Sequence, residues 1–169
     1  MAEKGVLIIV SAPSGCGKST VLQCQMKQRD KLRFSVSATT RAPRAGEVDG
    51  REYFFVSREK FAEMVEQGEF LEHAEYVGNC YGTPKAAVDA TLAEGYDVYL
   101  DIDVQGAMQI KAQRPETLMI FLMPPSLEEL ERRLVARGTD SAEVIRGRLE
   151  QAQEEIRLRE QFDYTVVND

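Results

Sequence analysis

One run of residues near the start of the chain has the types and spacing that phosphate chemistry requires: Ala12-Pro13-Ser14-Gly15-Cys16-Gly17-Lys18-Ser19-Thr20. It fits the P-loop pattern, with Ala12 in place of the first glycine. Gly15 and Gly17 let the backbone curl so that its N–H groups point at one centre. Lys18 then reaches the β- and γ-phosphates of a nucleoside triphosphate, and the Ser19 hydroxyl can ligate Mg²⁺. A helix that follows aims its positive N-terminus at the same phosphates. The bland alternative is an ordinary glycine turn, which does not explain a position between an apolar run and a helix-like stretch. The run predicts binding of ATP or GTP.

A P-loop alone does not separate kinases from motors or GTPases. The stretch Thr39-Thr40-Arg41-Ala42-Pro43-Arg44 continues through Gly46, Glu47 and Gly50 to Tyr53-Phe54-Phe55. Arg41 and Arg44 lie on a loop stiffened by proline and glycine, so they can present two guanidinium forks to a phosphate dianion. Tyr53 can add a neutral donor. Taken on these residues alone, a solvated charged loop remains an alternative.

The elements that must position these groups follow from periodicity and caps. Val6–Val10 reads as a buried strand, followed by the Gly-rich loop and a helix to about Gln28. Phe34–Ser37 and Tyr53–Val56 read as short strands. Ser57 caps a helix that carries Phe61, Met64 and Val65 on one face and ends at Gly68. Thr83-Pro84 reads as an N-cap and proline at the first helical position, opening a helix with Val88 and Leu92 that Gly95 closes. Val98–Ile102 is a strand leading to Asp101 and Asp103, Val104–Gln113 a helix and Leu118–Leu122 a strand. Ser126 with Glu129 forms a capping box for a helix to about Arg137. Ser141 opens a long helix to about Gln161, and Tyr164–Val167 is a last strand. Strands alternating with helices predict an α/β domain with a mostly parallel sheet flanked by helices. Residues 37–83 break the rhythm and read as an inserted lobe, leaving 1–36 and 84–169 as the core, with a smaller excursion at about 137–147.

Composition narrows the function. The chain has 169 residues, 43% hydrophobic and 29% charged, which suits one soluble domain without low complexity or repeats. A net charge of −7 argues against a general nucleic-acid binder. Val6–Val10 is too short for a signal segment or a membrane span, so a cytoplasmic protein without a membrane partner is the default expectation. Cys16, Cys24 and Cys80 lack CxxC spacing and His73 is the one histidine, a set poor in zinc ligands. They read as small buried or half-buried thiols in a reducing compartment.

The run from Thr39 to Phe55 resembles the GMP-binding segment of the guanylate kinase family at every defining position. Ser35-Val36-Ser37, Phe70-Leu71-Glu72, Gly78-Asn79-Cys80-Tyr81-Gly82-Thr83, Asp101-Ile102-Asp103, Pro124-Pro125-Ser126 and Val166-Val167-Asn168-Asp169 are similar as well. The resemblance spans essentially the whole chain. It implies a P-loop core, a GMP-binding lobe, a mobile lid, and transfer of the γ-phosphoryl group of ATP to GMP, and more weakly to dGMP, in purine nucleotide metabolism. It assigns the GMP phosphate to Arg41, Arg44, Tyr53 and Tyr81, and the base to Ser37, Glu72 and Thr83, with Asp103 nearby. Guanine offers N1–H and N2–H₂ as adjacent donors that a carboxylate such as Glu72 accepts together, whereas adenine would set a lone pair against it.

The same resemblance assigns Arg133, Arg137 and Arg148 to the lid as arginines that stabilise the transferring phosphoryl group, beside Lys18. ATP would lie against Ala12–Thr20 and Asn168, with Mg²⁺ on Ser19 and Asp101 near it, acting through water. Two departures stand out. Cys80 replaces a tyrosine common in the family, keeping apolar character but losing a hydroxyl. The chain also stops at Asp169 where family members usually add a helix; the expectation is reduced stability, or self-association over an uncovered face. The rivals are a scaffold module that has lost catalysis, which the intact Lys18 and Ser19 oppose, and a kinase for another monophosphate, which Glu72 opposes. A P-loop GTPase or motor leaves Arg41 to Tyr53 unexplained.

Overall fold

The central apolar runs become strands of a parallel sheet, because they are largely buried on both sides and their polar backbone can be satisfied only by neighbouring strands. The computed structural model describes residues 3–169. Five strands, β1 (Leu7–Ser11), β2 (Leu32–Phe34), β7 (Asp97–Asp101), β8 (Leu118–Met123) and β9 (Tyr164–Val167), lie in the order β2-β7-β1-β8-β9. All four pairings are parallel. Alternation along β1 sends Ile9 into one face and Val10 into the other. Ile9 packs with Leu100, Met119 and Phe121 against Ala107 and Ile110 of α4 (Val104–Gln113). Val10 joins Leu32, Tyr99 and Leu122 against Leu22 of α1 (Lys18–Gln28). A third cluster, Leu130 and Leu134 of α5 (Leu127–Ala136) with Ile145 and Ala152 of α6 (Ala142–Arg157), closes around Cys16 of the glycine loop. Each such fully buried leucine contributes about 1.5–3 kcal/mol, so the loop stands on a firm base.

A second sheet of four strands, ordered β4-β3-β6-β5, comprises β3 (Ser37–Thr39), β4 (Tyr53–Phe55), β5 (Phe70–Tyr76) and β6 (Asn79–Pro84). One of its faces is apolar: Ala38, Phe54, Phe70 and Cys80 pack on Phe61, Met64 and Val65 of α2 (Arg58–Glu66). The hairpin joining β5 to β6 turns at Val77 and Gly78, both at positive φ (48° and 75°), the backbone that a two-residue turn of matching twist requires.

Several local expectations shift. Phe34–Ser37 is not one strand: Phe34 ends β2 and Ser37 begins β3 in the other sheet. Ser35 N–H donates to Tyr99 O (3.1 Å), the last bond of the first sheet before the chain crosses over. Thr83 does not cap the next helix, α3 (Lys85–Ala93), whose N-cap is Pro84 without a side-chain bond. The Thr83 hydroxyl is committed elsewhere, to Glu72. Ser126 accepts from Glu129 N–H, but the Glu129 carboxylate holds Arg132 and Arg133 and leaves the reciprocal half of the capping box unmade. The last long helix ends at Arg157 and tightens into a 3₁₀ turn over Leu158–Gln161. Strands β5 and β6 were not foreseen as strands.

Candidate active site

The parallel sheet opens at the C-terminal ends of its strands, where β1 gives way to the glycine loop between two crossovers, the usual ligand position in such sheets. Register places Val10 beside Asp101, so the loop leaving β1 meets the acidic end of β7. Lys18, first residue of α1, forms an ion pair with Asp101 there. Ser11 Oγ donates to Ile102 O (2.7 Å), pinning the two strand ends together. The loop closes on itself through Cys16 N–H to Pro13 O (3.3 Å) and hands over to the helix through Val21 N–H to Gly17 O (3.1 Å). Gly17 has φ +79°, and a Cβ there would stand 2.7 Å from Asn168 Nδ2. The backbone conformation therefore favours glycine at this position, and a Cβ would also displace the Asn168 amide from Cys16 O.

A cleft of about 450 Å³ lies over the loop, lined by the residues from Ala12 to Thr20 with Asp101, Arg137 and Glu155. Arginines from the two helices behind the cleft fasten its rim. Arg148 Nη1 donates to Ser14 Oγ (2.7 Å) while its Nε pairs with Asp140 (3.2 Å). Arg133 bonds Glu129 Oε1 (2.9 Å) and Asn168 O (3.1 Å), and Asn168 Nδ2 donates in turn to Cys16 O (2.7 Å). Arg132 and Arg133 together hold the Glu129 carboxyl down at about 2. Burial pushes the Cys16 thiol up to about 11, so it stays a neutral packing group.

The second sheet supplies the other half of the site through its pleat. Ser37 lies opposite Tyr53, and Thr39 lies opposite both Phe55 and Tyr81. With period two along each strand, Ser37, Tyr53, Tyr81 and Thr83 share one face, opposite the apolar face that holds Cys80. Glu72 joins them, accepting from Thr83 Oγ1 at 2.8 Å. Burial raises the Glu72 carboxyl above its ordinary range; the Thr83 bond opposes this and the nearby Asp103 charge adds to it. Asp103 caps α4 by accepting from Gly106 N–H (2.8 Å). A Cβ on Gly106 would stand 3.1 Å from Glu72 Oε2 and 3.2 Å from Asp103 Oδ1, so the two carboxylates converge over that glycine.

Arg41 is held ready. Its Nη1 donates to Glu47 Oε2 (3.1 Å) and Ala42 O (2.9 Å), and its Nη2 to Glu47 Oε1 (2.9 Å). Of the five N–H donors of a guanidinium, Nε–H and the second Nη2–H remain, and these form a parallel fork along one edge. The guanidinium carbon sits 5.2 Å from the Tyr53 ring centroid and 5.9 Å from that of Phe55. Glu47 also accepts Arg44 N–H (2.7 Å), so one carboxylate organises both arginines. The Arg44 side chain itself is exposed.

The structure thus gathers Lys18, Ser19, Asp101 and Arg137 at the cleft, ties Arg133, Arg148 and Asn168 to its rim, sets Ser37, Tyr53, Glu72, Tyr81 and Thr83 on the second sheet, and leaves Arg41 and Arg44 on the loop between β3 and β4 and Asp103 at the cap of α4. Sequence reasoning passed over Glu47, although an acid six residues after Arg41 on the same loop was a usable signal. It also passed over Glu155, which only the phase of α6 brings to the cleft.

Fold and site together define the class, a P-loop nucleoside-monophosphate kinase. Comparison with known proteins narrows it. The guanylate kinase family model matches residues 4–169. The guanylate kinase of Streptococcus thermophilus is 58% identical over 170 residues, covering 100% of this chain and 81% of the relative. That of Lactococcus lactis subsp. lactis is 56% identical over 169 residues, covering 100% and 82%. Among solved structures, the guanylate kinase from Anaplasma phagocytophilum superimposes with TM-score 0.70 at 36% identity, covering 100% of this chain and 79% of that one. TT1252 from Thermus thermophilus, at 17% identity and TM-score 0.51 over 98% and 90% of the two chains, shares the fold. The chain belongs to the guanylate kinase family.

Proposed function

We propose that the protein transfers the γ-phosphoryl group of ATP to GMP, giving ADP and GDP, with dGMP as a weaker acceptor. One observation carries the choice of acceptor. A desolvated carboxylate, Glu72, lies on the same sheet face as the free fork of Arg41 and the hydroxyls of Tyr53 and Tyr81. That face offers an acceptor pair to the guanine N1–H and N2–H₂ edge, and donors to a phosphate dianion. A base with the opposite pattern leaves Glu72 unpaired, which can cost ~10⁴-fold in discrimination.

ATP binds over the loop from Ala12 to Thr20, with Asn168 beside the base and Lys18 leaving Asp101 for the β- and γ-phosphates. The Ser19 hydroxyl and the Asp101 carboxylate are hard oxygen donors that suit Mg²⁺, with Asp101 acting through water. Among the described residues no group of three or more His, Cys, Asp or Glu is arranged to hold a metal alone. An ion held there with the triphosphate would neutralise negative charge on the phosphates. Arg133, Arg137 and Arg148 supply positive charge to a loose, electron-rich transition state. No general base is required, because the attacking GMP oxygen is already ionised at neutral pH. Residues 37–83 and about 137–147 act as lobes that close on the two nucleotides and exclude water. Small-angle scattering with a bisubstrate analogue should show compaction.

Among the described residues no helix is long and apolar enough to cross a membrane. We assign the reaction to the cytoplasm, and the net charge of −7 argues against a nucleic-acid partner. The deciding experiment is a coupled assay of ADP release with ATP and, in turn, GMP, AMP, CMP and UMP. Rapid turnover with GMP alone is the expected result; equal use of AMP overturns the reading of Glu72.

A further inference from the structure

Glu155 has no part in the roles assigned so far. It projects from the face of α6 that carries Arg148 and Ala152, residues spaced at i, i+4 and i+7. Ala152 packs in the cluster beneath Cys16 and Arg148 reaches Ser14, so this face is the one turned to the glycine loop. Glu155 accordingly lines the cleft, half-buried. Gln151 Nε2 donates to its Oε1 (2.9 Å), and no cation pairs with it among the described residues.

The four cations assigned to phosphoryl transfer divide sharply by partner. Lys18 has Asp101, Arg133 has Glu129 and Arg148 has Asp140. Arg137 lines the same cleft as Glu155, and its side chain has neither a hydrogen bond nor an ion pair among the described residues. A carboxylate left alone beside the phosphates would repel them. Lys18 cannot neutralise it, since Lys18 turns to the phosphates when nucleotide binds. Burial, and less strongly the Asp103 charge, raise the Glu155 carboxyl, while the Gln151 bond and the Lys18 charge oppose them.

We propose that Glu155 is a positioning residue for phosphoryl transfer: it accepts one edge of the Arg137 guanidinium as the cleft closes, aiming that arginine's remaining donors at the transferring group. A planar fork with five donors can serve a carboxylate and a phosphate together, which an ammonium cannot. The inference rests on the reading of the cleft as an ATP:GMP phosphotransfer site.

A double-mutant cycle on the full chain tests it, using wild type, Glu155→Gln, Arg137→Lys and the combination, with saturation kinetics for both substrates. Thermal melts and direct ATP binding check that each variant folds. E155Q should lower kcat about tenfold, the worth of a hydrogen bond to a charged group, with KM for ATP and GMP changed less than about twofold. Added to R137K, it should lower kcat no further. Glu155→Asp, which withdraws the charge by one methylene, should lose an intermediate amount and gives a second route should E155Q fold poorly. Additive losses, or a rise in the KM for ATP that matches the fall in kcat, overturn the pairing. A wild type that transfers nothing from ATP to GMP overturns the functional reading itself, and an active wild type with additive losses overturns Glu155 alone.

Discussion

The two regions to which we assign phosphate binding are built in opposite ways. The loop between β1 and α1 presents backbone, curled by Gly15 and Gly17 and braced from outside by Arg148 on Ser14 and Asn168 on Cys16. The face of the second sheet presents side chains, each aimed by another side chain: Glu47 holds Arg41, Tyr53 and Phe55 flank its guanidinium, and Thr83 holds Glu72. A backbone cradle fits any triphosphate and leaves the choice of base open. A face of side chains can read one base, but it must bury polar groups to do so. Under the proposed function, the general donor and the particular acceptor are recognised by different physical means.

The largest loss should come from the one essential side chain of the backbone site. Lys18→Met removes the ammonium proposed to meet the β- and γ-phosphates, and kcat should fall by ~10³-fold or more while the melting temperature stays near that of wild type. Unchanged kcat would remove the loop from the mechanism and dissolve the contrast.

A substitution on the side-chain face should instead be selective. Glu72→Gln keeps the shape and loses the charge, costing ~1.5–3 kcal/mol, or ~10–150-fold in kcat/KM for GMP, with ATP affinity unchanged. A matching loss for ATP would show that the two regions are not separable. Glu47→Gln is smaller again, because it leaves the phosphate-facing fork of Arg41 in place and loosens only its support. The KM for GMP should rise by up to about tenfold with kcat little altered, and an unchanged KM would show that Arg41 is held well enough by its rings and Ala42 O.

The contrast also explains what could be read from sequence. The loop was legible because its parts are contiguous: Gly15, Gly17, Lys18 and Ser19 carry their chemistry in their spacing. The core strands were legible because Leu7–Val10, Val98–Leu100 and Leu118–Leu122 are buried on both sides and carry no charge. The second sheet was not. In Phe70–Tyr76 the charges at Glu72 and Glu75 and an irregular register between Phe70 and His73 hide the alternation. Ser35 and Val36 look like a strand interior but bridge two sheets. Thr83 has the chemistry of a helix cap and was read as one, because sequence cannot show that its hydroxyl lies 2.8 Å from a carboxylate eleven residues earlier. Glu155 lies in a charged run, Glu154-Glu155, where only the helix phase tells the cleft-lining residue from the exposed one.

The smallest predicted effect goes in the opposite direction, toward greater stability. Glu72 has its carboxyl raised above the unfolded value of 4.5, chiefly by burial. Below that value both folded and unfolded chains hold the proton, and the residue contributes nothing to pH dependence. As the pH climbs through the folded value, the unfolded chain has already ionised in water while the folded one must ionise in a desolvated pocket, and stability falls. The neutral amide of Glu72→Gln avoids that cost and can still accept from Thr83. Without nucleotides, E72Q should therefore melt higher than wild type at neutral pH, and the gap should close near pH 4. The rise should be a few degrees at most, since 1 kcal/mol moves the midpoint of a domain this size by about 2–4 °C. The corresponding change in the backbone site, Gly17→Ala, should lower the midpoint at every pH, because its cost is steric and not ionic. Should E72Q melt no higher than wild type at neutral pH, recognition by buried charge carries no stability cost here. The two regions would then differ in specificity alone.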